Sequence, residues 1–287
     1  MQLKAILLDL DGTIYRGSEP IPGAKAFLRR LDQLALPYLI LTNNSTRTPA
    51  QVSDHLQSMG IVCPPDRILT SSQAAAAFIG QGRVYCIGED GLQQALQKQG
   101  IELAESEVSH VAVGMDRGIT YAKIERAARL IRAGALFIGS NPDRCFPNEG
   151  GISPGNGAIL AAIAATADQQ PTIIGKPERA IVDIALARLG VSAHEAVLIG
   201  DNLETDIPAG VRAGVPTVFL LTGVSSRADL TSRAEQPTWI AENYAELNHL
   251  LDLWLAKESQ SSPCRITMHA LYSGSQGHGT PYPYALE

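Results

Sequence analysis

Residues 5–13 read Ala5-Ile6-Leu7-Leu8-Asp9-Leu10-Asp11-Gly12-Thr13. An apolar run that passes directly into an Asp-x-Asp-Gly turn describes a buried strand whose carboxyl end presents two acids. Side chains two apart on a strand share a face, so Asp9 and Asp11 repel unless a cation lies between them or one keeps its proton. A turn or a helix cap would account for the pair if it stood alone. Three further apolar runs end in the same manner. Leu39-Ile40-Leu41 opens into Thr42-Asn43-Asn44-Ser45, Ile173-Ile174-Gly175 into Lys176-Pro177-Glu178, and Val197-Leu198-Ile199 into Gly200-Asp201-Asn202-Leu203-Glu204-Thr205-Asp206. In an open parallel sheet ligands bind outside the carboxyl ends of the strands, so these four clusters are expected to converge.

The wider pattern supports that sheet. Short apolar runs alternate with amphipathic stretches, which predicts an α/β protein. Core strands are expected at residues 5–10, 38–42, 172–174, 195–200 and 216–221, with helices at 24–34, 49–59, 178–189 and 205–213. Residues 72–171 repeat the alternation, with strands at 83–87, 110–113 and 135–138 and helices at 91–99, 121–132 and 157–167. The expected organisation is therefore a discontinuous core, 1–71 and 172–257, around an inserted α/β domain at 72–171. Residues 258–287, rich in Ser, Gly, Pro, Tyr and His, are expected to form a poorly ordered tail, and Cys264, His269 and His278 within it match no zinc spacing.

Composition narrows the partners. The chain has 287 residues, 45% apolar and 18% charged, which suits two globular domains. A net charge of -6 offers no basic footprint, which argues against nucleic acid. No run approaches the roughly 18 apolar residues of a membrane span, and Met1-Gln2-Leu3-Lys4 leads into no secretory h-region. With four scattered cysteines, the expectation is a cytoplasmic protein with reduced thiols. A homo-oligomer is compatible with all of this.

The four clusters point to phosphoryl transfer. Carboxylates and backbone carbonyls suit Mg2+, which bridges to substrate phosphate. Asp9 is placed to attack phosphorus, and Asp11 to protonate the leaving oxygen and later take a proton from water. The Thr42 hydroxyl and the backbone N–H groups of its loop suit phosphate oxygens, as does Lys176, expected beside a helix start with Pro177 at the first position. Asp201 would complete a metal set with Asp9 and the Asp11 carbonyl. Asp206 would orient Lys176 or a metal-bound water, or cap a helix.

Taken in order, Asp9-Leu10-Asp11-Gly12-Thr13, Thr42-Asn43, Lys176 and Gly200-Asp201 through Asp206 resemble the haloacid dehalogenase (HAD) superfamily. The insert, with Leu41-Thr42-Asn43-Asn44, Gly175-Lys176-Pro177 and Gly223-Val224-Ser225-Ser226, is similar to its subfamily IIA, the NagD-like and p-nitrophenyl phosphatase branch. That resemblance implies a Rossmann-like doubly wound parallel core with an inserted α/β cap. It implies Mg2+-dependent hydrolysis of a small phosphomonoester (a sugar phosphate, a nucleoside monophosphate or a phosphoglycolate-like compound) through an aspartyl-phosphate. By position it makes Asp9 and Asp11 catalytic, Asp9, Asp11 and Asp201 metal ligands, and Thr42, Asn43 and Lys176 phosphate-binding. Gly12, Asn202 and Asp206 are supporting residues. The region from 141–144 through 154–157, with Arg144, Asn148 and Glu149, would face the site and govern substrate choice. A phosphomutase of the same superfamily and a non-catalytic binding protein on this fold are the alternatives, and product analysis separates them.

Overall fold

The computed structural model describes residues 2–148 and 150–261. A six-stranded sheet runs in the order Trp239–Ala241, Thr217–Leu220, Ala196–Gly200, Ala5–Asp9, Tyr38–Thr42, Ile68–Thr70, and every neighbouring pair is parallel. Ala5–Asp9 lies at its centre, fully buried because helices cover both faces. Its period of two divides the packing: Ile6 and Leu8 join one apolar cluster, Ala5 and Leu7 another. Both the doubly wound α/β class and the insert of α/β character match expectation.

The second sheet takes the order Thr172–Ile173, Leu136–Gly139, His110–Val113, Arg83–Ile87, Glu102–Leu103, again parallel throughout. One correction follows. The strand expected at 172–174 belongs here and not to the core sheet, since Thr172 and Ile173 pair with Ile138 and Gly139. A two-residue run carries no pattern that names its neighbour. The edge of the core sheet is taken instead by Ile68–Thr70, and the opposite edge by Trp239–Ala241.

The two sheets share a core. Leu39, Leu41 and Leu198 of the first pack in one cluster with Val84, Ala112 and Ile138 of the second. The helix Ser71–Ile79 lies in that cluster through Ala74, Ala75 and Ala76, whose small side chains allow neighbouring helices to approach closely. Residues 43–47 are tied to the second sheet as well. Gly91 N–H donates to the Thr46 carbonyl at 2.9 Å, and Met115 N–H donates to the Ser45 hydroxyl at 2.9 Å. A Cβ on Gly91 would sit 2.5 Å from the Ser45 carbonyl oxygen, and one on Gly114 3.1 Å from the Ser45 hydroxyl.

The last helix, Tyr244–Ser261, extends past the expected end of the ordered chain at 257. Leu247, Leu251 and Trp254 fix it to the core at i, i+4 and i+7, and backbone hydrogen bonding carries it beyond that last anchor. Cys264, His269, His278 and Glu149 lie outside the described residues. Cys63, Cys86 and Cys145 are free thiols. Among the described residues no helix is long and apolar enough to cross a membrane.

Candidate active site

The carboxyl ends of the core strands converge as the sequence pattern requires. Asp9 ends the central strand, Thr42 ends its neighbour, Asp201 follows Ala196–Gly200, and Asp206 opens the helix Asp206–Ala213. Lys176 reaches the same point with 2% exposure, and Asp201 and Asp206 keep 1% each. Its ammonium has three donors and three acceptors: the Asp9 carboxylate, Asp206 Oδ1 at 2.6 Å and the Leu41 carbonyl at 3.2 Å. The other Asp206 oxygen accepts from Asn202 N–H at 3.1 Å. Asp201 accepts from the Thr13 hydroxyl at 3.1 Å and from Val224 N–H at 2.7 Å.

Carboxylate oxygens of Asp9, Asp201 and Asp206 lie within 4.8 Å of one another. One ammonium cannot neutralise three such acids. Burial, then the neighbouring Asp201, pushes Asp9 up against the pull of Lys176, and burial with Asp9 pushes Asp206 up to about 6. Asp201 is raised by burial and by Asp206. Burial alone would discharge Lys176, but Asp206 and Asp9 hold its ammonium charged well above the usual range. A hard, oxygen-only cluster with surplus negative charge fits a divalent cation such as Mg2+.

Several details differ from expectation. Asp11 is exposed while Asp9 is buried, so the two acids meet different surroundings, and the third carboxylate near Asp9 is Asp206. Lys176 does not flank a helix start. The helix begins at Ala180, because residues 175–178 form a turn closed by Glu178 N–H on the Gly175 carbonyl at 3.1 Å. The Asn43 amide donates to the Lys176 carbonyl at 2.8 Å and to both oxygens of Asp143 at 3.3 Å, linking the Thr42 loop to the insert. Thr42 accepts from Asn44 N–H at 3.0 Å, which leaves its own proton to donate.

Sequence reasoning named no contact for Thr13, Val224 or Tyr244, and placed Asp143 only within the loop region expected to face the site. Tyr244 donates from its hydroxyl to the Thr13 carbonyl at 2.8 Å, bracing the turn from a helix 231 residues away. Gly12 and Gly223 clear the space for Asp201. Gly12 adopts φ 89°, and a Cβ there would meet Asp201 Oδ2 at 2.5 Å. At Gly223 the same oxygen would be only 1.7 Å from a Cβ. Gly223→Ala must therefore displace Asp201 or the 222–225 loop. The expected result is a lower melting temperature with the secondary structure kept, read from thermal melting and circular dichroism.

Comparison with known proteins agrees with this geometry. The haloacid dehalogenase-like hydrolase profile matches residues 6–102, and a HAD-hydrolase-like profile matches residues 173–247. The 5'-nucleotidase YutF of Bacillus subtilis is 41% identical over 247 residues, 85% of this chain and 96% of that protein. This chain belongs to the haloacid dehalogenase-like hydrolases. An acid sugar phosphatase of Staphylococcus haemolyticus is 40% identical over 85% of this hydrolase and 94% of that one. The solved structure of NagD from E. coli K-12 superposes with a TM-score of 0.81 at 33% identity, covering 86% of this chain and 98% of that one. A double-mutant thermostable NPPase from Geobacillus stearothermophilus gives 0.80 at 41%, covering 85% and 97%. Within the haloacid dehalogenase-like hydrolases the chain is NagD-like.

Proposed function

We propose that this hydrolase cleaves a small phosphomonoester in a Mg2+-dependent reaction, with Asp9 as nucleophile and an aspartyl-phosphate as intermediate. In class it is a phosphoric monoester hydrolase. The observation that carries the finer reading is the buried Asp9 carboxylate, fixed by Lys176 within a cluster of acids at the carboxyl end of the central strand.

Asp9 attacks phosphorus while Asp11, exposed at the mouth, gives its proton to the departing alkoxide. Water then attacks the aspartyl-phosphate, its proton passes to Asp11, and inorganic phosphate leaves with Asp9 restored. Lys176 balances phosphoryl charge, and the Thr42 hydroxyl and the Asn43 loop donate to phosphate oxygens. Asp206, both oxygens engaged by Lys176 and Asn202, orients Lys176. Asp9, Asp201 and the Asp11 carbonyl would hold Mg2+, which when bound neutralises charge on the phosphoryl oxygens. Residues 72–171 act as the cap over this chemistry, and the names of the relatives support a sugar phosphate or nucleoside monophosphate as substrate, with phosphoglycolate-like compounds in the same size class. Free thiols at Cys63, Cys86 and Cys145 support a reducing, cytoplasmic setting.

The test is phosphate release from sugar phosphates, nucleoside monophosphates, phosphoglycolate and p-nitrophenyl phosphate with Mg2+ or EDTA; release unaffected by EDTA would overturn the metal requirement. Melting gives an independent reading. Asp9 and Asp206 have folded pKa values raised above the usual 3.8, to about 7 and about 6, so from about pH 4 to about pH 7 the folded state holds protons that the unfolded chain has lost. The stability of metal-free protein therefore falls as pH rises through that window. Mg2+ at about 100 times its Kd should add about 2.7 kcal/mol, roughly 5 °C in Tm. The increment should be larger at pH 7.5 than at pH 5, where protons compete for the same oxygens. Equal Tm values with and without Mg2+ at pH 7.5 would count against the site.

A further inference from the structure

Beside the site, a groove of about 690 Å³ separates the Arg47–His55 segment from the insert, with Arg47, Gln51 and His55 on one wall and Glu89, Asp116 and Arg117 on the other. It is joined to the Asp11 turn through His55, whose ring neighbour Tyr15 forms a backbone bridge with Asp11. The His55 ring packs edge-on against Tyr15 with centroids 5.2 Å apart, and the Asp11 charge acts on both rings. Arg47 acts on the same two rings, so its guanidinium and the Asp11 carboxylate share these neighbours.

The cations of the opposite wall are already matched. Arg117 pairs with Glu89 at 2.6 Å, and Lys123 pairs with Asp116 at 2.7 Å. Arg47 has no acidic partner among the described residues, and the remaining acid of the lining, Asp90, is exposed and forms no ion pair with it. Its backbone is fixed nonetheless. Arg47 N–H donates to the Asn44 side-chain oxygen at 3.2 Å, and the adjoining Thr46 carbonyl accepts from Gly91 N–H. A half-buried guanidinium on a fixed loop, lining a polar groove but paired with none of its carboxylates, is arranged to receive a planar oxyanion through paired N–H donors.

We propose that Arg47 is the subsite for a second anionic group, carboxylate or phosphate, at the far end of the substrate's leaving group. The enzyme then prefers phosphomonoesters that carry such a group over uncharged counterparts of the same length. This inference rests on the phosphatase reading and extends it to substrate class.

Two matched pairs of compounds test it. Glycerol 3-phosphate and 3-phosphoglycerate differ only in a terminal CH2OH against a carboxylate, and glucitol 6-phosphate and 6-phosphogluconate differ in the same way over a longer span. In the wild type, kcat/KM is expected to favour the anionic member of at least one pair by about tenfold or more, chiefly through KM. Arg47→Glu should reverse that ratio, and Arg47→Lys should keep part of it. Ratios identical in wild type and Arg47→Glu for both pairs would overturn the assignment. Absence of phosphate release from these four compounds and from p-nitrophenyl phosphate would instead remove the phosphatase reading. The subsite is then read from ligand-induced Tm shifts with the same compounds. A shift by 6-phosphogluconate or 3-phosphoglycerate that exceeds its neutral partner's and vanishes in Arg47→Glu supports Arg47, and equal shifts in both proteins refute it.

Discussion

Asp9→Asn is expected to lower kcat by roughly 10⁴-fold or more while leaving the melting temperature at pH 7.5 unchanged or higher. The amide matches the carboxylate in size and still offers Lys176 an acceptor oxygen, so the local geometry survives. What disappears is the proposed nucleophile and, with it, one buried negative charge from a cluster of three. Burial already works against that charge in the metal-free protein, so its removal relieves a cost that exists only for the reaction. Parallel assays of phosphate release and thermal melting separate the two effects. Turnover within tenfold of wild type would take Asp9 out of the mechanism.

Lys176→Ala should damage both properties. Three acceptors lose their common donor at once, and two buried carboxylates are left without their counter-ion. Breaking a buried ion pair from one side costs about 3–5 kcal/mol, roughly 10 °C in a protein of this size. Activity should fall about 10³-fold or more, because phosphoryl charge would face Asp9 uncompensated. The sign of the pH dependence follows from the acids. At pH 5 the orphaned carboxylates take up protons and the loss of Tm is small; at pH 8 they cannot, and it is full. Adding Asp206→Asn to Lys176→Met should recover much of the melting temperature at pH 8 without recovering activity. A double variant as unstable as Lys176→Ala would show that the lysine's packing, not its charge, holds this region.

Much of this site was legible in the sequence because its groups sit at the ends of apolar runs. Asp9, Thr42 and Asp201 could each be placed from the strand before it, and the parallel sheet supplied the reason for their convergence. Other features left no such signal. The helix Ser71–Ile79 is apolar on several sides through its alanines, so it lacks a helical stripe, and Ile68–Thr70 is too short to show alternation. Thr172–Ile173 reads as a strand but not as a strand of a particular sheet. The Asn43–Asp143 contact spans 100 residues, a distance at which pattern says nothing about pairing, whereas the Asp206–Lys176 pair was one of the roles expected for Asp206. Sequence order likewise gave no hint that Asp11 would stay exposed while Asp9 was buried.

The glycines at 91 and 114 set a limit on how this architecture can diversify. Every group assigned to the attack on phosphorus lies outside residues 72–171, so the insert is in principle free to drift or to be exchanged between relatives without touching the reaction. That freedom stops where Gly91 and Gly114 press against the backbone and hydroxyl of residues 45–47. A transplanted insert with a bulky side chain at either position would wedge the loop outward and drag Thr42 with it. New specificities are thus open to insert sequences that preserve two small residues at this joint, and closed to those that do not, however well their own fold is kept.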